Sequence, residues 1–281
     1  MRKSQSSSLK LKGHESEVVE LDDFSFEGNY SSHGIGVGNK ISPERLLNLA
    51  VDHKFKHVVQ SSTEDHQRQI LSSQIMLEKP KIFFKYPLST IVKPDSTNSS
   101  TEKALTKIQI KFKNFEQKSA ALEKLVVALS ESSKDQSLIL DVKLVADELM
   151  CNALYNAPSP EAKNNLKVKL VPKSTKQASI FMSSTEQEII IGCSDTYGSL
   201  NIIKLLNRVR DCFKNSTGAG ISNVGNQGAG LGTFMVFSLC NSMYFAVNQN
   251  LQTIICCSIP RRERLRNKSA MSKTLHLILP D

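Results

Sequence analysis

Between Lys107 and Leu279 the spacing of apolar residues switches repeatedly between the two-residue period of a half-buried strand and the three-to-four-residue period of an amphipathic helix. Few folds accept such a succession. Ile108, Ile110 and Phe112 alternate with lysines and a glutamine, predicting a strand over Lys107 to Lys113. Phe115, Ser119, Leu122, Val126 and Leu129 then step by four and three, predicting a helix. A second helix is expected from about Leu138 to Ala157, stopped by Pro158. Strand-like runs follow at 166–171, 177–182 and 187–193, then a helix at about 201–213, a Gly-rich loop over 216–232 and a helix to about 241. Runs at 242–248 and 251–258, joined through Asn248-Gln249-Asn250, read as a hairpin. Leu275, Leu277 and Leu279 alternate in a last strand. Helices interleaved with mostly adjacent strands predict a two-layer α/β sandwich.

Ahead of this pattern the chain reads differently. Positions 1–40 are polar and rich in Gly and Ser, including Gly34-Ile35-Gly36-Val37-Gly38, and are expected to form a disordered tail. Ser42-Pro43-Glu44-Arg45 has the order of a helix N-cap with Pro at the first helical position, leading into Leu46, Leu47, Leu49 and Ala50. A second helical pattern runs from about Thr63 to Leu77, and Pro94 to Thr101 has the composition of a linker. The expected division is a tail over 1–40, a small helical region and linker over 41–100, and the main domain over 101–281. A chain of 281 residues has room for one sizeable domain and such an appendage.

Charge and cysteine usage exclude some functions. The net charge of +9 invites a nucleic-acid partner. Only two basic clusters stand out, however: Lys107, Lys111 and Lys113, and Arg261, Arg262, Arg264, Arg266 and Lys268. Neither has the interleaved aromatics of a stacking platform, so they read as solvated surface and no specific nucleic acid is expected. The six cysteines form no CxxC pair, and four lie in apolar runs. Reduced thiols in a cytoplasmic protein are expected, rather than disulfides or zinc. Met1 to Glu20 lacks the apolar run of a signal peptide. No stretch approaches the roughly 18 apolar residues of a membrane span.

Three short elements in the main domain carry candidate chemistry. On the second predicted helix, Glu148 and Asn152 stand at i and i+4 beside the apolar arc of Val142, Val145, Leu149 and Ala153, at the rim of the core. A carboxylate and a neutral carbonyl ligand there suit a pocket; a solvated Glu and an Asn near a helix end are the plainer reading. Past the apolar strand Ile189-Ile190-Ile191, Asp195-Thr196-Tyr197-Gly198 offers a carboxylate able to accept from an exocyclic amine and a Gly permitting close backbone approach. An Asx-turn would use the same residues. Gly228-Ala229-Gly230-Leu231-Gly232-Thr233 opens a helix, where backbone N–H groups and the helix N-terminus favour phosphates; a flexible loop has the same composition.

The order and spacing of the three are more specific than any one of them. ExxxN on a helix, Asp-x-x-Gly after a strand and GxGLG opening a helix resemble the GHKL superfamily, the histidine-kinase-like ATPases of Bergerat fold, over residues 105–281. The style is closest to stand-alone anti-sigma-factor serine kinases. That resemblance implies a mixed sheet with helices on one face, and ATP with Mg²⁺ as cofactors. It implies that Asn152 ligates Mg²⁺, that Glu148 activates the attacking group and that Asp195 reads adenine beside Gly198. Gly228, Gly230, Leu231, Gly232 and Thr233 would hold the phosphates, and Asn201 to Gln227 would form a mobile lid. Two positions depart from the family pattern: Tyr197 stands inside the first glycine box, and Tyr155 three residues after the N-box Asn.

Three outputs compete. One is a kinase phosphorylating Ser/Thr of a regulatory protein partner, with a homodimer allowed. The second, a sensor histidine kinase, fits poorly. His53 precedes Lys54, His66 precedes Gln67, and His14, which does precede Glu15, lies in the polar tail. The third is a non-catalytic or slowly hydrolysing ATP-dependent protein-binding switch.

Overall fold

The structure, a computed structural model, describes residues 18–21, 34–61, 65–92, 106–158, 176–216, 231–261 and 273–279. The expected strand at 166–171 and most of the Gly-rich loop lie outside them. The main-domain elements form where the periodicities put them. Strand β4 is Thr106–Phe112, α5 Phe115–Ser132, α6 Gln136–Cys151, β5 Ala178–Ser184 and β6 Glu188–Asp195. These are followed by α7 Ile202–Ser216, α8 Leu231–Leu239, β7 Ser242–Asn248, β8 Gln252–Pro260 and β9 Thr274–Ile278. Local chemistry sets the starts of the two long helices. Asn114 accepts from the Gln117 N–H at 2.9 Å to cap α5, and Asp135 from the Leu138 N–H at 3.1 Å to cap α6. The β7–β8 hairpin turns through Asn250, which takes a positive φ of 60°.

N-terminal residues join the same sheet. Val18–Glu20 (β1) and Ile35–Gly38 (β2), both inside the stretch expected to be disordered, are strands. They are followed by α1 (Pro43–Val51), β3 (His57–Gln60), α2 (His66–Glu78), α3 (Pro80–Lys85) and α4 (Pro87–Val92). Ser42 caps α1 by accepting from Arg45 N–H at 3.2 Å, as its sequence predicts. Among the described residues the result is one nine-stranded mixed sheet of order β1-β2-β3-β9-β7-β8-β6-β5-β4. β1/β2, β2/β3 and β7/β9 pair in parallel, and the remaining neighbours are antiparallel. The last strand slots between β3 and β7, pairing His276 with His57 on one side and with Tyr244 on the other. The helical region expected to stand apart is thereby sewn into the main sheet.

The α/β character and the mixed sheet agree with expectation, but the helices lie on both faces. Alternation along each strand sends Ile189, Ile191, Met243, Phe245, Cys257 and Ile259 to one face, where α1, α5, α6, α7 and α8 cover them. Ile190, Tyr244, Ala246, Ile254 and Cys256 point the other way, against Met76, Phe83, Leu88 and Ile91 of α2 to α4. The one-sided sheet of the sequence reading is therefore corrected. The reason is that α2 carries little apolar signal: its buried residues include Gln69, Ser72, Ser73 and Gln74. It docks by hydrogen bonds, Ser73 Oγ to His276 Nδ1 at 2.9 Å and Gln69 Nε2 to Ser242 Oγ at 3.0 Å. Arg68 adds an ion pair with the buried Glu188 at 2.5 Å. No helix among the described residues is long and apolar enough to cross a membrane, and all six cysteines are free.

Candidate functional site

The site is assembled where α6 ends. The last α6 turn passes into a single π-helical turn, Asn152–Asn156, with Ala157 N–H donating to Asn152 C=O at 3.0 Å. Such turns rotate side chains out of helical register and recur at functional sites. Glu148 and Asn152 do share a face: Asn152 Nδ2 donates to Glu148 Oε1 at 3.0 Å. Asn156 Nδ2 donates a short bond to Asn152 Oδ1. Both Glu148 and Asn152 are half-buried, at the rim of the core.

Asp195 ends β6 and is 7% exposed. Its Oδ1 accepts from the N–H groups of Tyr197 at 2.8 Å and Gly198 at 3.4 Å. The plain Asx-turn is therefore present, and the buried carboxyl also faces the cavity described next. Burial pushes its pKa up, against those backbone donors. Gly198 has a φ of +62°, and an added Cβ would overlap the Asn248 carbonyl oxygen and stand 2.7 Å from Asn250 N. The close approach for which this glycine was singled out is thus to the β7–β8 turn. The Tyr197 ring lies 4.8 Å from Lys176 Nζ and is not part of the cavity lining. Tyr155 is 36% exposed. Ser199 Oγ donates to Ala157 C=O at 2.7 Å, tying the Asp195 loop to the end of the π turn and fixing the two halves of the site.

Between them lies a cavity of about 320 Å³. Asn152, Asp195 and Thr233 line it, so residues from all three sequence elements converge. Glu148 sits just outside, packed where a Cβ on Gly232 would meet its carboxylate. The first turn of α8 thereby faces the carboxylate end of α6, an attraction of negative charge for a helix N-terminus. Gly228 and Gly230 lie outside the described residues, as does the later part of the expected lid; of Leu231 only its place at the start of α8 is described.

Several lining residues escaped the sequence reading. Thr253 is the β8 partner of Asp195, is 3% exposed, and its side chain lies against the Asp195 carboxyl. Nothing in the sequence pairs β6 with β8, so no local signal could have shown it. Lys204 and Arg208 lie one turn apart on α7 and bring two cations to the lining, joined by Asn201 and Asn156. Their i, i+4 spacing on an amphipathic helix was a readable signal.

A resident metal without a bound anion does not fit: no cluster of three or more His, Cys, Asp or Glu that could hold one occurs among the described residues. A single side-chain oxygen for a metal that is held mainly by a ligand's phosphates would have to come from Asn152 Oδ1, which here accepts from Asn156 Nδ2 while Asn152 Nδ2 faces Glu148. Among known proteins, no family model and no curated protein matches this chain.

Proposed function

We propose that this cavity binds ATP with Mg²⁺, and that the chain is a histidine-kinase-like ATPase-domain protein that phosphorylates Ser or Thr of a regulatory partner. One observation carries the reading: the make-up of the cavity lining. Its lining includes the buried Asp195 and Thr253, side by side on β6 and β8, which suit the amine and ring nitrogens of a base. The same lining includes the exposed Lys204, the half-buried Arg208 and Asn152, and Thr233 in the first turn of α8, which suit a polyphosphate. A volume of about 320 Å³ is at the lower end for a small-molecule site, roughly 300–1,000 Å³.

In this arrangement Mg²⁺, when bound with the nucleotide, offsets phosphate charge. Asn152 Oδ1 would turn from Asn156 to the metal, and Lys204 and Arg208 would orient the phosphates. Glu148, one turn before Asn152, would accept the proton of the attacking hydroxyl. A second reading, an ATP-dependent binding switch with little or no turnover, is favoured by the position of Glu148 outside the cavity lining.

Calorimetric titration of wild type, Asp195→Ala and Asn152→Ala with ATP and ADP, with and without Mg²⁺, tests the proposal. Asp195→Ala should weaken both nucleotides, because the base is common to them. Asn152→Ala should chiefly abolish the Mg²⁺ dependence. Equal binding by all three folded proteins, or none by wild type, would refute it.

A further inference from the structure

On the side of the sheet away from the nucleotide cavity, a second cavity of about 220 Å³ opens between the α3–α4 corner and outward-facing side chains of β4, β5, β6 and β8. We propose that it is a binding site for a phosphate-type dianion carried on a compact apolar or aromatic group. Two lysines line it, Lys85 at the end of α3 and Lys107 on β4, and among the described residues no Asp or Glu does. Ser89, Gln109, Gln252 and Ser194 line the same space, with Ser194 Oγ 2.9 Å from Ser179 Oγ. Several donors of different direction suit a tetrahedral anion with many acceptor oxygens. Two lysine charges balance a phosphoryl group of roughly −1.5 to −2, whereas a carboxylate would balance one. The remaining wall is aromatic, Phe84, Tyr86 and Phe181, with Lys85 Nζ 5.0 Å from the Tyr86 ring centre. That wall gives the group bearing the anion somewhere to pack.

The site is distinct from the first cavity yet backs onto it. Along β6, Cys193 and Asp195 face the nucleotide cavity while Ser194 faces this one. Along β8, Thr253 and Ile255 face the first, while Gln252 and Ile254 face the second. The sheet's alternation therefore separates them by its own thickness. At about 220 Å³ the space is below the range typical for drug-sized ligands, about 300–1,000 Å³, so it takes an anion and a small carrier rather than a whole nucleotide. The carrier is either a small free organic phosphate or a phosphorylated side chain of a partner.

Amide chemical-shift titration of the full chain with phenyl phosphate, and separately with a phosphoserine peptide, tests this. Both probes run on wild type, Lys85→Ala/Lys107→Ala and Lys204→Ala/Arg208→Ala. Phenyl phosphate should shift resonances around Ser89, Gln109 and Ser194. Its affinity should fall roughly tenfold or more in the first variant, as expected for two lost charge-assisted contacts, and hold in the second. Tighter binding of the peptide than of phenyl phosphate assigns the source to a partner's side chain, and the reverse assigns it to a free ester. Shifts confined to the Asn152–Lys204 region, equal affinity in wild type and the Lys85/Lys107 variant, or no saturable binding to wild type would overturn the proposal. The lysines are exposed, so thermal melts of the variants should match wild type.

Discussion

His57 and His276 meet under α2 with no exposed surface, their Nδ1 atoms 3.3 Å apart and both Nε2 atoms without a partner among the described residues. Burial lowers the pKa of both, that of His276 to about 3, and for His57 the neighbouring His276 and Lys56 add to it. At pH 7 the pair is neutral in the folded and, mostly, in the unfolded chain. Below the unfolded value of about 6.5 the unfolded chain takes up protons that the folded chain cannot, so stability falls as pH falls. At pH 5 the unfolded histidine is about 1.5 units past its midpoint, which at about 1.4 kcal/mol per unit costs about 2 kcal/mol for His276, whose folded value of about 3 lies below that pH. His57, lowered in the same direction, adds to that cost, which is already a large part of a typical stability of roughly 5–15 kcal/mol. Burial raises the pKa values of Glu188 and Asp195, which act in the opposite sense. A single protein's pH profile therefore mixes the two effects. Urea denaturation of wild type, His57→Gln and His276→Gln at pH 7.5 and 5.0 separates them. His276→Gln should lose about 2 kcal/mol less than wild type over that interval, and His57→Gln should also lose less than wild type. Identical losses in all three proteins would refute the buried neutral pair.

Other outcomes follow from single contacts. Gly198→Ala should destabilise the fold by roughly 2–4 kcal/mol, combining left-handed strain with overlap of the β7–β8 turn; a midpoint shift under about 1 kcal/mol in chemical denaturation would contradict that geometry. The Lys273 ammonium, 3% exposed and with its pKa drawn down to about 8 by burial, donates to the carbonyls of Phe237, Ser238 and Cys240 at the end of α8. Lys273→Met should cost about 2–4 kcal/mol by leaving those acceptors unpaired, and urea melts matching wild type would count against the cap. Glu148→Gln should keep ATP affinity within a few-fold and slow turnover by roughly 10²–10⁴ if the chain is catalytic. Phosphate release from wild type that stays at background with every candidate partner would instead favour the binding switch.

What the sequence showed best was what is encoded locally. The alternation of Ile108, Ile110 and Phe112, the Ser42 cap and the steps of α5 each lie within a few residues, and β4, α1 and α5 formed near where they were read. The face shared by Glu148 and Asn152 follows from helical geometry alone, and it too holds. Non-local pairing was beyond such reading. The insertion of β9 between β3 and β7 brings together residues more than 200 positions apart, as in His57 and His276. It turns an expected appendage into part of the sheet. Strands as short as Val18–Glu20 carry too few side chains to show a period. The α2 layer was misplaced because its buried face is polar: Gln69, Ser72 and Ser73 read as solvent-facing until Ser242, Thr90 and His276 supply their partners. In the site, Thr253 depends on the β6–β8 register. Gly198 shows the converse, a residue correctly marked for close approach whose neighbour is the protein's own turn.

The most direct test of the central claim is a crystal structure with Mg²⁺ and a non-hydrolysable ATP analogue. The account predicts one nucleotide in the cavity between α6, α7 and β8. Its adenine amine should lie on Asp195 near Thr253, its phosphates between Lys204, Arg208 and the first turn of α8, and the metal on Asn152. A nucleotide found elsewhere, or lying reversed with its phosphates on Asp195, would contradict it.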